Sequence, residues 1–119
     1  VTFILDHCGV PDIKGDARQP WHDGVAELAK RPNVTAKISG VVAYADPDSW
    51  IADTLRPWVE HTIACFGWDR VVWGSDWPVC MLSGGLMPWI AATHALLDGA
   101  SEDEKRKLLS ENAIRIWRL

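Results

Sequence analysis

The chain reads as α/β, with about three βα units laid on a parallel sheet, and three observations predict this. Short apolar runs recur at Thr2-Phe3-Ile4-Leu5, Val34-Thr35-Ala36-Lys37-Ile38 and Val71-Val72-Trp73. Each leads into a loop rich in Gly, Pro, Asp or Ser and then into a helical pattern, and that alternation implies parallel strands. The spacing agrees: His7 to Lys37 is 30 residues and Lys37 to Asp76 is 39, the scale of one βα unit each. Three parallel strands do not close on themselves. A complete TIM (β/α)8 barrel takes roughly 250 residues, so a chain of 119 can form only a portion of one.

The elements follow in order. After the first strand, a helix is predicted over Trp21 to Lys30, with Val25, Leu28 and Ala29 on one face and Arg31-Pro32-Asn33 ending it. The second helix is placed from near Asp48, which can cap it, to about Phe66. Ile51, Leu55, Trp58, Val59, Thr62, Ile63 and Phe66 keep helical spacing there. Pro57 sits inside that pattern and should kink the helix or mark a restart; Gly67 should stop it. Val71 to Trp73 is continuously apolar, the pattern that burial on both faces produces. A third helix is expected over Met87 to Leu97, stopped by Gly99. Ser101 and Glu104 then form a capping box for a polar helix from Glu102 to about Leu109. Asn112 opens a last short helix ending near Trp117.

Composition narrows the partners. The net charge is −4 with no basic run, which argues against nucleic acid and anionic membrane surfaces. No apolar stretch reaches the roughly 18 residues of a membrane span, and no secretory signal is visible. Cys8, Cys65 and Cys80 are odd in number and form no Cys-x-x-Cys pair, which fits a reducing compartment, the cytoplasm, and small packed residues. The eight tryptophans are expected in the core or in pocket walls, where the indole N–H can still find a partner. The chain starts at Val1 and enters a strand at once, so an upstream part is expected to be missing.

The chemistry concentrates at strand ends. In Trp73-Gly74-Ser75-Asp76-Trp77-Pro78-Val79, Asp76 stands at the carboxyl end of a buried strand, where ligands bind in α/β proteins. It could equally cap the next helix. His7 takes the matching place on the first strand, followed, like Asp76, by Pro within a few residues, so both side chains face one rim. An imidazole and a carboxylate on one rim can bind a divalent metal or share acid–base work; the alternative for His7 is a hydrogen-bonded structural role. Strand alternation would turn Asp6 away from His7. Lys37 either points into the site or snorkels to solvent. Ser39 can donate a hydrogen bond at the rim, and no Gly-x-Ser-x-Gly elbow supports it as a nucleophile. His22, His61 and His94 lie in helical segments without an i,i+4 ligand partner and read as surface or packing residues. Arg18 could meet an anionic substrate or remain a solvated loop charge, and Arg70 reads as structural.

Taken together, Asp6-His7-Cys8-Gly9 with Pro11, Trp21, Pro32-Asn33-Val34, Lys37-Ile38-Ser39-Gly40, Phe66-Gly67 with Asp69-Arg70, Gly74 to Cys80, and Asn112-Ala113 carry a resemblance. The chain resembles the carboxyl-terminal part of an amidohydrolase-superfamily barrel, in the amidohydrolase-related branch that includes sugar lactonases. The resemblance implies one partial barrel domain over 1–119, its amino-terminal half missing, with the last three barrel strands. It implies His7 as the strand-six histidine and Asp76 as the strand-eight aspartate, the general base toward the hydrolytic water. In metal-using members these residues would hold a zinc-type divalent ion. Trp77 would be pocket wall, and Lys37 and Ser39 would contact substrate. The first-strand His-x-His pair lies outside the chain, and Ala43-Tyr44-Ala45 stands where related lactonases often carry an acid.

The expected function is therefore hydrolysis of a small-molecule sugar-acid lactone or related carboxylate. A metal-dependent non-oxidative decarboxylase of the same superfamily is the alternative enzyme. From a different class, the chain would be an inactive truncated barrel that self-associates through the apolar faces its missing strands would cover.

Overall fold

The computed structural model describes residues 1–119. Three parallel strands, β1 (Phe3–Leu5), β2 (Val34–Ile38) and β3 (Val71–Trp73), lie side by side in sequence order. Phe3 pairs with Val34 and Leu5 with Ala36, and on the other edge of β2 Ala36 pairs with Val71 and Ile38 with Trp73. Period-two alternation divides β2. Val34, Ala36 and Ile38 enter the hydrophobic core, and Thr35, Lys37 and Ser39 take the opposite side.

Six helices accompany the sheet: α1 (Trp21–Ala29), α2 (Val41–Tyr44), α3 (Ala52–Phe66), α4 (Leu86–Leu96), α5 (Glu102–Arg106) and α6 (Asn112–Trp117). Leu55, Trp58, Val59, Ile63 and Phe66 put one face of α3 into the core, where Trp89 and Leu96 of α4 and Leu108 join them. The helical spacing read from the sequence is this buried face. Gly67, with φ 75°, ends α3, and its N–H donates to the Ile63 carbonyl at 2.7 Å.

Helix α3 differs from expectation at two points. Helix α3 begins at Ala52 because Asp46 organises a local turn first: its Oδ1 accepts the Asp48 N–H at 3.0 Å, and its carbonyl accepts the Trp50 N–H at 3.1 Å. Asp48 therefore caps nothing, and Thr54 Oγ1 accepts the Ile51 N–H at 3.2 Å in its place. The helix also runs through Pro57 without restarting. Proline there removes one backbone donor, and the packing of Leu55, Trp58 and Val59 on either side holds the helix together.

The carboxyl-terminal segment matches more closely. Ser101 and Glu104 bond reciprocally, N–H to carboxylate at 2.9 Å and N–H to Oγ at 3.1 Å, as a capping box requires. Helices α5 and α6 are joined through a wide π turn at Lys107–Glu111. Asn112 is buried, and its amide donates to the carbonyls of Trp68 and Val71 at 2.6 and 2.8 Å, tying α6 to the start of β3. Arg70 is structural, as expected: it donates to the carbonyls of Ala29, Arg31 and Val34. All three cysteines are free, and no helix is long and apolar enough to cross a membrane.

Candidate active site

The polypeptide leaves β1 by an abrupt left-handed turn. His7, Cys8, Gly9 and Val10 have φ of 53°, 52°, 77° and 56°. For residues with a Cβ this conformation costs roughly 1–2 kcal/mol each, and it persists only where the surroundings over-determine it. Cys8 is fully buried, and its thiol lies 3.7 Å from the Lys37 carbonyl. The Trp21 indole N–H donates to the Cys8 carbonyl at 2.7 Å, and the Val10 N–H donates to the His7 carbonyl at 2.9 Å. This bracing turns the imidazole of His7 across the carboxyl end of the sheet.

There His7 meets residues from the other two strands. Its Nδ1 is 2.9 Å from Ser39 Oγ, and Ser39 is wholly buried. The ring lies against Gly40, which has φ 71° and no side chain to obstruct it. Its Nε2 faces Asp76 Oδ1 at 3.8 Å, with the side chains 26% and 15% exposed, so both remain within reach of solvent. Asp76 is itself left-handed, φ 55°. The preceding Gly74 is anchored twice: its N–H donates to the Ile38 carbonyl at 3.0 Å, and its carbonyl accepts the Trp89 indole N–H at 3.0 Å. The Asp76 carboxylate caps no backbone N–H. Ser75 Oγ takes the local turn bond instead, from the Trp77 N–H at 3.2 Å.

The remaining sequence-derived candidates divide. Lys37 lies on the same side of β2 as Ser39, and its ammonium pairs with Asp6 Oδ1 at 2.7 Å. Asp6 thus belongs to the rim. The alternation argument that turned it away fails because extended backbone stops at Leu5, and His7 already lies in the left-handed turn. Trp77 follows Asp76 and is 67% exposed. Cys8 is no nucleophile: burial pushes its thiol up to about 11, so it stays protonated at neutral pH. Arg18 pairs with Asp16 and stacks over the Trp58 ring, 4.7 Å from its centroid.

Tyr44 joins His7 at the rim. Its ring meets His7 edge-on, centroids 6.5 Å apart and planes at 63°. Burial, then the negative charges of Asp76 and Asp6, push its phenol above the ordinary value, so it holds its proton at neutral pH. Helix α2 is a single turn, too short to produce a periodic signal. One omission lies on the outer surface. Cys65 stands one turn after His61 on α3, its Sγ 3.5 Å from His61 Nε2. His61 does have an i,i+4 neighbour of ligand type, although its ring is stacked on His22 at 3.7 Å.

For a divalent ion the rim offers two suitable donors. Ser39 engages Nδ1 of His7, which leaves Nε2 open beside the Asp76 carboxylate, the arrangement a ligating histidine needs. No third His, Cys, Asp or Glu joins them. The pair fits as part of a ligand set, and the rest would have to come from outside these 119 residues.

A braced His–Asp pair thus stands at the carboxyl end of the parallel sheet, and comparison with known proteins identifies the family. The amidohydrolase family model matches residues 1–119, and the chain belongs to that family. It is 34% identical to an L-fucono-1,5-lactonase of Burkholderia ambifaria, over the whole of this chain and 42% of the relative. It is 28% identical to an L-rhamnono-gamma-lactonase of Scheffersomyces stipitis, over the whole chain and 41% of that protein. Crystal structures of a Burkholderia multivorans amidohydrolase superpose on 99% of the chain. The form with bound HEPES gives a TM-score of 0.90 at 30% identity over 45% of its length, and the form with bound zinc 0.89 at 29% over 44%. The chain thus spans less than half the length of these relatives, and its three-stranded sheet is a partial barrel.

Proposed function

We propose that the protein carrying this chain is a hydrolase that opens a sugar-acid lactone, with residues 1–119 as the carboxyl-terminal part of its barrel and one side of its active site. The observation that carries this reading is the convergence of His7 Nε2 and Asp76 Oδ1, 3.8 Å apart, from the ends of β1 and β3. The lactonase relatives support the choice of substrate class.

In the mechanism, Asp76 accepts a proton from water as the oxygen adds to the lactone carbonyl. The tetrahedral intermediate collapses with cleavage of the ring C–O bond, and the proton held by Asp76 passes to the departing ring oxygen. Water and lactone thus become one hydroxy acid. His7, held through Nδ1 by Ser39, presents Nε2 to position the water or polarise the carbonyl. Lys37 orients substrate oxygens, Ser39, wholly buried with its Oγ against His7 Nδ1, acts on the substrate only through His7, and Trp77 forms pocket wall. Where a divalent ion is bound, His7 and Asp76 would supply two of its ligands and it would contribute Lewis acidity. Three free cysteines accord with work in a reducing compartment such as the cytoplasm.

The test is proton release by the full-length protein from a panel of five- and six-membered sugar-acid lactones, with and without a chelator. Ring opening of at least one lactone is expected, and loss of rate on chelation would assign a working ion. Failure on every lactone, with carbon dioxide released from an aromatic or sugar carboxylate, would replace this reading with the decarboxylase.

A further inference from the structure

Tyr44 is held firmly, yet its hydroxyl is left free. Val41, Val42 and Ala45 around it are buried, Gly40 begins the turn in the left-handed region, and the Tyr44 carbonyl accepts the Lys14 N–H at 2.9 Å. The hydroxyl, by contrast, has no hydrogen-bond partner within the chain. It is not sealed in the interior either, since no buried side-chain polar atom lacks a partner. A fixed ring set edge-on to His7 with an open O–H is the form of a ligand-binding group, because a phenol can both donate and accept.

From this placement we propose that Tyr44 binds substrate at the same site, donating its O–H to a hydroxyl or ring oxygen of the lactone and so selecting polyhydroxylated, uncharged lactones. The inference rests on the lactonase reading above. The surrounding charges favour a neutral ligand. The Asp76 carboxylate faces the same His7 ring that Tyr44 meets, and the one rim ammonium, Lys37, is already paired with Asp6. An anionic substituent beside Tyr44 would face two carboxylates and no free cation among these residues. A hydroxyl group suits the place, since it can accept from the phenol and donate to a carboxylate. Sites built to hydrogen-bond a substrate hydroxyl discriminate against the analogue that lacks it.

The test compares the full-length protein with its Tyr44→Phe variant. Each is assayed on the hydroxylated lactone that the parent protein opens fastest and on the bare lactone of equal ring size, γ-butyrolactone or δ-valerolactone. The ratio of the two kcat/KM values should fall about 10-fold in the variant, mainly through a raised KM for the hydroxylated lactone, with its kcat lowered less than about 3-fold. Because the ratio is taken within one preparation, the fraction folded cancels. An unchanged ratio in an active protein overturns the role of Tyr44 alone, even if both rates fall together. A parent protein that opens no lactone overturns the lactonase reading and this inference with it.

Discussion

Gly40 and His7 share one space: a methyl carbon on Gly40 would stand 2.7 Å from His7 Nδ1 and 2.8 Å from its Cγ. These distances lie far inside van der Waals contact, and the atoms concerned belong to a ring already fixed by Ser39 and the left-handed turn. The glycine is therefore part of how the imidazole is aimed.

Gly40→Ala should accordingly displace the ring and also strain a backbone at φ 71°. The expected result is a fall of at least about 10-fold in kcat/KM, with roughly 1–2 kcal/mol lost from stability. Steady-state kinetics with urea unfolding of the full-length protein check both. Activity equal to the parent's would show that the ring's place is not critical.

Ser39→Ala removes the only hydrogen-bond partner of His7 Nδ1, in a spot too buried for water to replace it. Rates should drop about 10-fold, chiefly in kcat, as for other residues that orient a reacting imidazole. The stability change should be near 1 kcal/mol. Lactone kinetics and thermal unfolding measure the two effects separately.

Cys8 gives a pH dependence of known sign. Burial raises its thiol from 9.0 to about 11, so between these values the unfolded chain releases a proton that the folded chain keeps. The stability this contributes is complete below pH 9 and is lost as pH rises toward 11. The unfolding free energy of the parent minus that of Cys8→Ala should therefore decrease from pH 8 to pH 11. A constant difference across that range would contradict the burial of the thiol.

Residues 1–119 produced alone should self-associate. Phe3 on the free edge strand is exposed, as are Val10, Trp77, Leu82 and Met87, and exposed apolar patches of this kind drive association. Sedimentation velocity at micromolar concentration should show species larger than 13.3 kDa. A single monomer boundary would go against this expectation.

What the sequence disclosed, and what it withheld, follows from the range of the interactions. Strand β3 was legible because Val71-Val72-Trp73 is apolar without interruption, and the strand ends marked His7, Ser39 and Asp76 as one rim. The capping box at Ser101 and Glu104 was legible because its partners are three residues apart. Period-two alternation misled at Asp6, since nothing local announces that Cys8 and Val10 will be forced left-handed by the packing of Cys8 and the bond from Trp21. The start of α3 was misplaced because Asp46 and Asp48 compete for the same turn, and only the Asp46 bond forms. The place of Tyr44 was marked only by resemblance, because it meets His7, thirty-seven residues away in sequence, from a helix of one turn. The i,i+4 pairing of His61 and Cys65 was readable and was missed.

Asp76, the proposed base, faces His7 from a left-handed backbone and caps no helix. Asp76→Asn keeps size and hydrogen-bonding shape and removes the proton acceptor. Its kcat for lactone opening, measured in the full-length protein beside its melting temperature, is the most direct test. A loss of at least about 100-fold is expected, with melting essentially unchanged. Turnover within a few-fold of the parent would contradict it.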